Sequence, residues 1–479
     1  MQPPRHIVES LERTGQAGVL RFWNDLDDEG RRRLVRQLEA IDWAVFDDLR
    51  RAASSAAEGV DPAFLSVAAT PQGPRLSPED CSAAAWRPAG EEALAIGQVG
   101  AILVAGGQGS RLGCDGPKGV YPIGPVSQST LFEILIGRLA AIGQRYGRGV
   151  PLAIMTSSAT DADTRAYLEF NRFFGLDPDE VLVFRQADLP ALSIDSLSML
   201  LEAPDRVAMA PDGHGGMLRA LSAAGGLDWF ARRGIEHVSS FQVDNPLACP
   251  LDPAFLGMHL VFESDITTQV VEKQAPGERV GVVVESGGVC RIVEYSDLPG
   301  HLARERGPDG RLRFRSGSIA VHCFRLAFLA EAAAGKASLP LHLARKSVAF
   351  VDDSGERVLP KEPNAYKFER FIFDLFPLAR RVTSVTIDPA EGFAPLKNPS
   401  GSEADSPEHV RRAMVTQARR LLERVGVAVA EGIDVELAPS VIDEFDLRHI
   451  ASGSRIERPC VVGGKAVVSG DDGTPRVPT

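Results

Sequence analysis

Leu34, Leu38, Ile41, Val45 and Leu49 recur at helical spacing, with Arg31 to Arg33, Glu39, Asp42 and Asp48 largely between them. That pattern predicts amphipathic helix over the first fifty-odd residues. From Ala52 to about Gly97 the chain turns to Ala, Pro, Ser and Gly, which reads as a connecting segment. Then the period changes. Short apolar runs at Val99–Val104, Pro151–Thr156, Glu180–Phe184, Val207–Met209 and His237–Val243 alternate with longer helical stretches. Such alternation predicts βαβ units and an α/β fold with a doubly wound, mainly parallel, Rossmann-like sheet. Glu278 to Tyr295 predicts a β-meander that turns at Ser286-Gly-Gly288. Beyond Pro399, Val410, Met414, Ala418, Leu421 and Leu422 predict a helix over Ser406–Val425, and a Val/Ile-rich tail runs to Thr479. The expected organisation is a helical N-terminal region and linker (1–97), a sheet domain (98–385) and a small C-terminal α+β domain (386–479).

Composition narrows the class. At 479 residues the chain is too long for one typical core. A hydrophobic fraction of 44% with 24% charged residues is that of a soluble globular protein. The formal net charge of −12 argues against nucleic acid or an anionic membrane as main partner, although a local basic pocket can still hold phosphates. The arginines at 31–33 follow acidic Asp25 to Glu29 and read as a solvated helix face. No run of eighteen apolar residues and no apolar leader segment is present in the sequence as given. The six cysteines lack metal-type spacing and read as reduced thiols of a cytoplasmic protein. Nothing sets an oligomeric state, and a monomer is compatible with the sequence.

The chemistry concentrates at Leu103-Val-Ala-Gly-Gly-Gln-Gly-Ser-Arg-Leu-Gly-Cys-Asp-Gly-Pro-Lys118. A buried strand breaks directly into glycines at 106, 107, 109 and 113, which let backbone N–H groups approach a polyphosphate. Arg111 and Lys118 add positive charge there. The loop is not a P-loop, because Lys118 lies between Pro117 and Gly119 and lacks the following Ser or Thr. It is not a dinucleotide fingerprint either: counting from Gly107, the sixth position is Leu112. A nicotinamide-dependent dehydrogenase is thereby disfavoured, and a nucleoside triphosphate is the indicated ligand. Asp244 ends the apolar run Val238–Val243, where a carboxylate suits Mg²⁺ or caps a turn before Asn245.

The loop resembles the signature of the UDP-sugar pyrophosphorylase family, in its UDP-N-acetylhexosamine branch. Further blocks resemble that family in order: Phe184-Arg-Gln-Ala-Asp-Leu-Pro190, Ala210-Pro-Asp-Gly-His-Gly-Gly216, Gln242-Val-Asp-Asn245, Val270-Val-Glu-Lys273, Gly281-Val-Val and Ile292-Val-Glu-Tyr-Ser296. Pro363-Asn-Ala-Tyr-Lys-Phe-Glu-Arg-Phe-Ile-Phe-Asp374 and Phe393-Ala-Pro-Leu-Lys-Asn398 complete a series spanning about residues 100 to 400. The resemblance implies a nucleotidyltransferase that joins UTP and a sugar 1-phosphate into a UDP-sugar with release of pyrophosphate. N-acetylglucosamine 1-phosphate is the first-choice sugar; glucose 1-phosphate or broad specificity is the alternative.

On that resemblance, Gly106, Gly107, Arg111 and Lys118 hold the triphosphate and leaving group, and Lys397 holds the sugar phosphate. Asp244 holds a divalent metal, Mg²⁺, at the nucleotide phosphates, and Lys367 contacts those phosphates. Gln186 and Gly213 face the uracil and nucleotide, and Glu294 and Tyr295 the sugar. Two motifs depart from the family pattern. His214 stands where the family has Asn in Asp-Gly-Asn-Gly-Gly, and Ser318 and Val321 where it has Asn in Gly-Asn-Ile-Ala-Asn-His. The matching asparagines contact the sugar, so reaction class is better defined than sugar identity. A non-catalytic nucleotide-sugar binding module is the reading from another class; the joint presence of Arg111, Lys118, Asp244 and Lys397 argues against it.

Overall fold

A computed structural model describes residues 2–55, 67–69, 75–76, 81–335, 339–450, 452–463 and 467–469. The end of the Val/Ile-rich tail and parts of the segment expected to connect lie outside the described residues. Two compact units emerge, each made of segments distant in sequence. One comprises Met1–Leu65, Gln186–Ala220 and Ala337–Asp374; the other comprises Ser66–Arg185, Leu221–Lys336 and Leu375–Thr479. These units do not follow the sequential division at residues 97 and 385.

Burial explains the first unit. Helices α1 (Arg5–Thr14), α2 (Asp28–Ala40) and α3 (Trp43–Ser55) turn Ile7, Leu11, Leu34, Leu38, Phe46 and Leu49 inward. Their partners are Leu189, Leu192, Met199, Val207, Tyr366 and Phe368, so the helical region shares a core with residues far along the chain. The continuous helical spacing from Leu34 to Leu49 is split in two. Ile41 is extended, and the Asp42 carboxylate accepts the N–H groups of Ala44 (3.0 Å) and Val45 (3.3 Å), starting a new helix. The expected strand Val207–Met209 is also revised. Met209–Pro211 pairs antiparallel with Asp188–Pro190, and Arg206–Val207 pairs with Leu201–Ala203; neither belongs to the central sheet.

The second unit is built on that sheet. Its main strands are β1 (Val99–Val104), β2 (Leu152–Thr156), β3 (Val181–Arg185), β4 (His237–Gln242), β5 (Ile266–Glu272), β6 (Ser316–Arg325) and β7 (Val382–Ile387). Their order is β7-β5-β6-β4-β1-β2-β3, with a short strand, Arg75–Leu76, beside β7. All main neighbours are parallel except β6, which runs antiparallel to both β4 and β5. The carboxyl ends of the six other strands therefore share one edge. Along β1, Ala101 and Leu103 enter one core, while Gly100 lies against Phe230 on the opposite face. A hairpin, Val282–Ser286 with Val289–Val293, leaves the sheet at the Val282–Gly317 pairing. Its turn residues Gly287 and Gly288 take φ values of 60° and 78°, glycines where left-handed backbone requires them, and Val67–Ala69 pairs antiparallel with the hairpin's first strand.

Part of the expected connecting segment is helix α4 (Cys81–Ile96), which packs on α5 (Pro253–Val261). A Cβ on Gly257 would stand 1.8 Å from the Trp86 carbonyl oxygen, and one on Gly90 would stand 1.9 Å from that of Pro253. The two backbones meet at these glycines. Contact through small residues leaves little apolar stripe to read, which is why Ala/Gly/Pro content pointed to a linker instead. Helix α6 (Pro407–Arg424) falls within the stretch the sequence predicts and is capped by the Ser406 side chain, which accepts the His409 N–H. It sends Val410 and Met414 into the main core, and Ala418 and Leu422 into a satellite core with Val435, Leu447 and Val462.

Gly257→Ala tests the helix contact. The added methyl meets backbone rather than a movable side-chain tip, so a loss of about 2 kcal/mol or more is expected from overpacking. Thermal or denaturant unfolding measures it, and an unchanged midpoint would contradict the close crossing.

Candidate active site

The parallel register of β1 and β4 pairs Val104 with Gln242. The glycine-rich loop and Asp244 thus leave from adjacent strand ends, at the edge where open α/β sheets bind ligands. Within the loop, Gly109 N–H bonds to Gly116 O (2.9 Å) and Lys118 N–H to Gly107 O (3.0 Å). Gly113 and Gly116 have φ of 72° and 123°, which lets the chain double back. Nothing lies within 4 Å of a Cβ built on Gly107, so that backbone is open to approach. Gly106 is buried and its carbonyl accepts the Ser157 hydroxyl at 2.8 Å.

The same edge collects the charged groups. Lys118 Nζ donates to Leu396 O (3.3 Å), and Leu396 N–H donates to the Asp244 carbonyl (2.8 Å). Lys397 follows, its N–H held by Asp405 O at 2.8 Å. Asn245 secures the approach of this segment: its amide donates to Gly392 O (2.8 Å) and accepts Ala394 N–H (3.1 Å). Burial lowers the Lys118 pKa, the nearby Lys397 and Arg111 charges lower it further, and Asp244 opposes them. Arg111 itself is exposed. Four of the expected phosphate-site residues are therefore electrostatic neighbours. Among the described residues no group of three or more His, Cys, Asp or Glu side chains could cage a metal. One buried carboxylate fits a Mg²⁺ that takes its remaining ligands from phosphates and water.

Along the sheet edge, Glu294 and Ser318 come together through Gly281. The Glu294 carboxylate lies 3.2 Å from a Cβ built on Gly281, and Ser318 N–H donates to Gly281 O at 2.8 Å. Tyr295 is 47% exposed in the turn that follows.

Gln186, Gly213, His214 and Lys367 belong to the other unit. Here Asp212 N–H bonds to Ala187 O (3.0 Å), placing Gln186 beside the glycine turn. Gln186 is 5% exposed, and its Oε1 has no hydrogen-bond partner among the described residues. An unpaired buried acceptor is uncommon and fits a ligand N–H. Gly213 (φ 78°) sits against the Arg370 carbonyl, where a Cβ would approach to 2.7 Å. His214 Nδ1 accepts Ile372 N–H (3.1 Å), which requires the neutral tautomer protonated on Nε2. Its ring stacks on Phe371 with centroids 5.2 Å apart. Lys367 lies on the strand Ala365–Glu369, which leads to Arg370.

Sequence reading passed over the pair that holds this turn. Arg370 Nη1 donates to both Asp212 oxygens at 2.7 Å, and the two side chains are 4% and 1% exposed. Both residues lie in quoted blocks, but charges in a motif read first as ligand contacts. Lys273 was also passed over. It follows β5 at the sheet edge, is 4% exposed, and burial lowers its pKa.

A strand-edge glycine loop with converging cations and one carboxylate defines a nucleotide-handling α/β transferase. Residues 82–401 match the family UTP–glucose-1-phosphate uridylyltransferase. The chain is 37% identical over 442 residues to human UDP-N-acetylhexosamine pyrophosphorylase-like protein 1, covering 89% of this chain and 87% of that protein. It is 36% identical over 361 residues to UDP-N-acetylglucosamine pyrophosphorylase of Saccharomyces cerevisiae, covering 74% and 75%. The structure of uridine diphosphate N-acetylglucosamine pyrophosphorylase from Trypanosoma brucei in complex with an inhibitor superposes with a TM-score of 0.81 at 24% identity, covering 96% and 99%. This chain belongs to the UTP–glucose-1-phosphate uridylyltransferase family and is a nucleotidyltransferase.

The lowered Lys118 pKa gives a pH signature. Rising pH removes the ammonium charge below the ordinary lysine value of 10.5, so kcat/KM for UTP should fall on an alkaline limb below that value. Lys118→Arg keeps its charge and should move the limb upward whatever its absolute activity. Superimposable pH profiles would separate Lys118 from UTP binding.

Proposed function

We propose that the chain transfers the uridylyl group of UTP to a sugar 1-phosphate, with N-acetylglucosamine 1-phosphate as the preferred acceptor. The observation that carries the reading is the convergence of Arg111, Lys118, Asp244 and Lys397 at one sheet edge, beside an open glycine loop. A sugar-phosphate oxygen attacks the α-phosphorus; a new P–O bond forms, the bond to the β-phosphate bridging oxygen breaks, and pyrophosphate leaves. The nucleophile is already an anion, so no strong general base is needed. The barrier lies in bringing two polyanions together, and fixed positive charge lowers it. Arg111 and Lys118 hold the triphosphate and the leaving group, and Lys397 holds the acceptor phosphate. Asp244 would hold Mg²⁺, which when bound neutralises phosphate charge.

Gln186 presents its unpaired carbonyl to the uracil N–H, while Gly213 and Lys367 contact the nucleotide. Glu294 and Tyr295 contact the sugar, with His214 and Ser318 replacing the family's asparagines. A cytoplasmic setting agrees with Cys114, Cys249, Cys290, Cys323 and Cys460, all unpaired. No described helix is long and apolar enough to cross a membrane.

A pyrophosphate-release assay with UTP, Mg²⁺ and a panel of sugar 1-phosphates tests the reaction. Binding of UTP or UDP-sugar without turnover on any acceptor would leave the binding-module reading instead. Lys397→Ala should lower turnover by about 10²-fold or more, the scale for one lost transition-state charge contact, with much less change in UTP affinity. Equal losses in both would contradict its assignment to the acceptor.

Glucose 1-phosphate is favoured as a second acceptor by the His214 tautomer. A neutral ring whose Nδ1 accepts the Ile372 N–H has no further acceptor, whereas an asparagine amide carries both donor and acceptor. Joint replacement by His214→Asn and Ser318→Asn should raise the ratio of kcat/KM for the N-acetylated sugar over glucose. An unchanged ratio would place the discrimination at Glu294 and Tyr295.

A further inference from the structure

We propose that Glu436, far along the chain from the glycine loop, is a positioning residue for Lys118; the proposal rests on the reading above that Lys118 holds the triphosphate. Glu436 lies on the short strand Val435–Leu437 and is 2% exposed. Its Oε2 accepts the N–H groups of Val126 (2.9 Å) and Ser127 (2.8 Å), and its Oε1 accepts the Ser127 hydroxyl (2.6 Å). A buried carboxylate is costly unless such donors surround it, and here all three come from one tight loop. That loop is the tip of a hairpin-like excursion rooted at Lys118. Tyr121 N–H bonds to Lys118 O (3.0 Å), Leu131 N–H to Tyr121 O (3.2 Å), and the N–H groups of Ile123 and Gly124 to Ser129 O (2.9 and 3.0 Å).

Two further features show that the tip is held rather than merely touched. Gln128 adopts φ 60°, a left-handed conformation uncommon for a residue with a side chain, and its own side chain bonds back to Gly124 O. Arg411, on α6, donates to Pro122 O at 3.0 Å. The C-terminal segment thus grips the excursion at tip and side, and the backbone that leaves Lys118 is fixed at both ends. Glu436 is not what attaches that segment to the unit. Arg145 and Arg87 make ion pairs with Asp443, Arg145 also with Asp446, and the apolar core around Val435 and Leu447 is separate. Losing Glu436 should loosen the loop and leave the segment docked.

The test compares kcat/KM for UTP with KM for the sugar phosphate in Glu436→Ala, Glu436→Gln and Gly124→Ala. Glu436→Ala should lower kcat/KM for UTP about tenfold or more while KM for the sugar phosphate stays within about twofold. Glu436→Gln should stay within about threefold of wild type, because its carbonyl can accept both N–H groups and its amide can donate to Ser127 Oγ. Gly124→Ala attacks from the loop side, since its Cβ would stand 2.5 Å from Ser127 Oγ, 2.7 Å from Ser129 N and 2.8 Å from Glu436 Oε1, and should reproduce the alanine phenotype. Unchanged UTP parameters, equal losses toward both substrates, or failure of glutamine to rescue would overturn the proposal. If Glu436→Ala does not fold, Gly124→Ala and Ser127→Ala carry the same comparison. If wild-type protein shows no transfer, the proposed function fails, and amide hydrogen exchange over residues 118–130 then decides for the clasp. Faster exchange in Glu436→Ala, restored in Glu436→Gln, supports it; unchanged exchange overturns it.

Discussion

The parallel register of β1 on β4 is the constraint on which the sheet edge depends. It sets Val104 opposite Gln242, so the glycine loop and Asp244 begin side by side. A one-residue slip of β1 would invert that strand, turning Ala101 and Leu103 out of their core and Gly100 away from Phe230. Burial on both faces therefore fixes the register, and the register places the chemistry. The link from Asp244 O to Leu396 N then brings Lys397 to the same edge from a segment some 150 positions later.

Gathering Arg111, Lys118 and Lys397 works against like-charge repulsion. At Lys118, burial and the neighbouring Lys397 and Arg111 charges hold the pKa down while Asp244 opposes them. On the proposed reading, the negative charge of a polyphosphate offsets that repulsion. An acidic protein of net charge −12 can do this because local interactions, not net charge, govern a site whose charged groups act directly on one another.

In the other unit the ordering element is the buried Asp212–Arg370 pair. Such a pair adds little net stability because both ions lose water, yet removing one partner is strongly destabilising. Its effect here is geometric. Arg370 O accepts Gly215 N–H at 2.7 Å and Arg370 N–H donates to Asp212 O at 2.8 Å, so side chain and backbone lock the glycine turn carrying Gly213 and His214. His214 is fixed in turn by Ile372, which sets its tautomer and so its hydrogen-bonding character.

The sequence by itself determined β1, β2, β3 and β4 nearly to the residue, because each is a short apolar run bounded by turn or loop residues. It also determined the glycine loop, whose residue types are constrained by backbone geometry, and the C-terminal helix. Helix α4 was illegible because its contact with α5 runs through glycines and leaves little periodic stripe. The break at Asp42 was illegible because the apolar spacing continues across it while the carboxylate restarts the hydrogen bonding. Lys397, Gln186 and Glu294 were legible only by resemblance; an isolated lysine, glutamine or glutamate has no local signature. Only the tertiary structure decided which buried charges are structural. Asp212, Arg370 and Glu436 declare their roles through partners 158 and about 310 positions away, and pairings at such separations are set by packing rather than by local pattern.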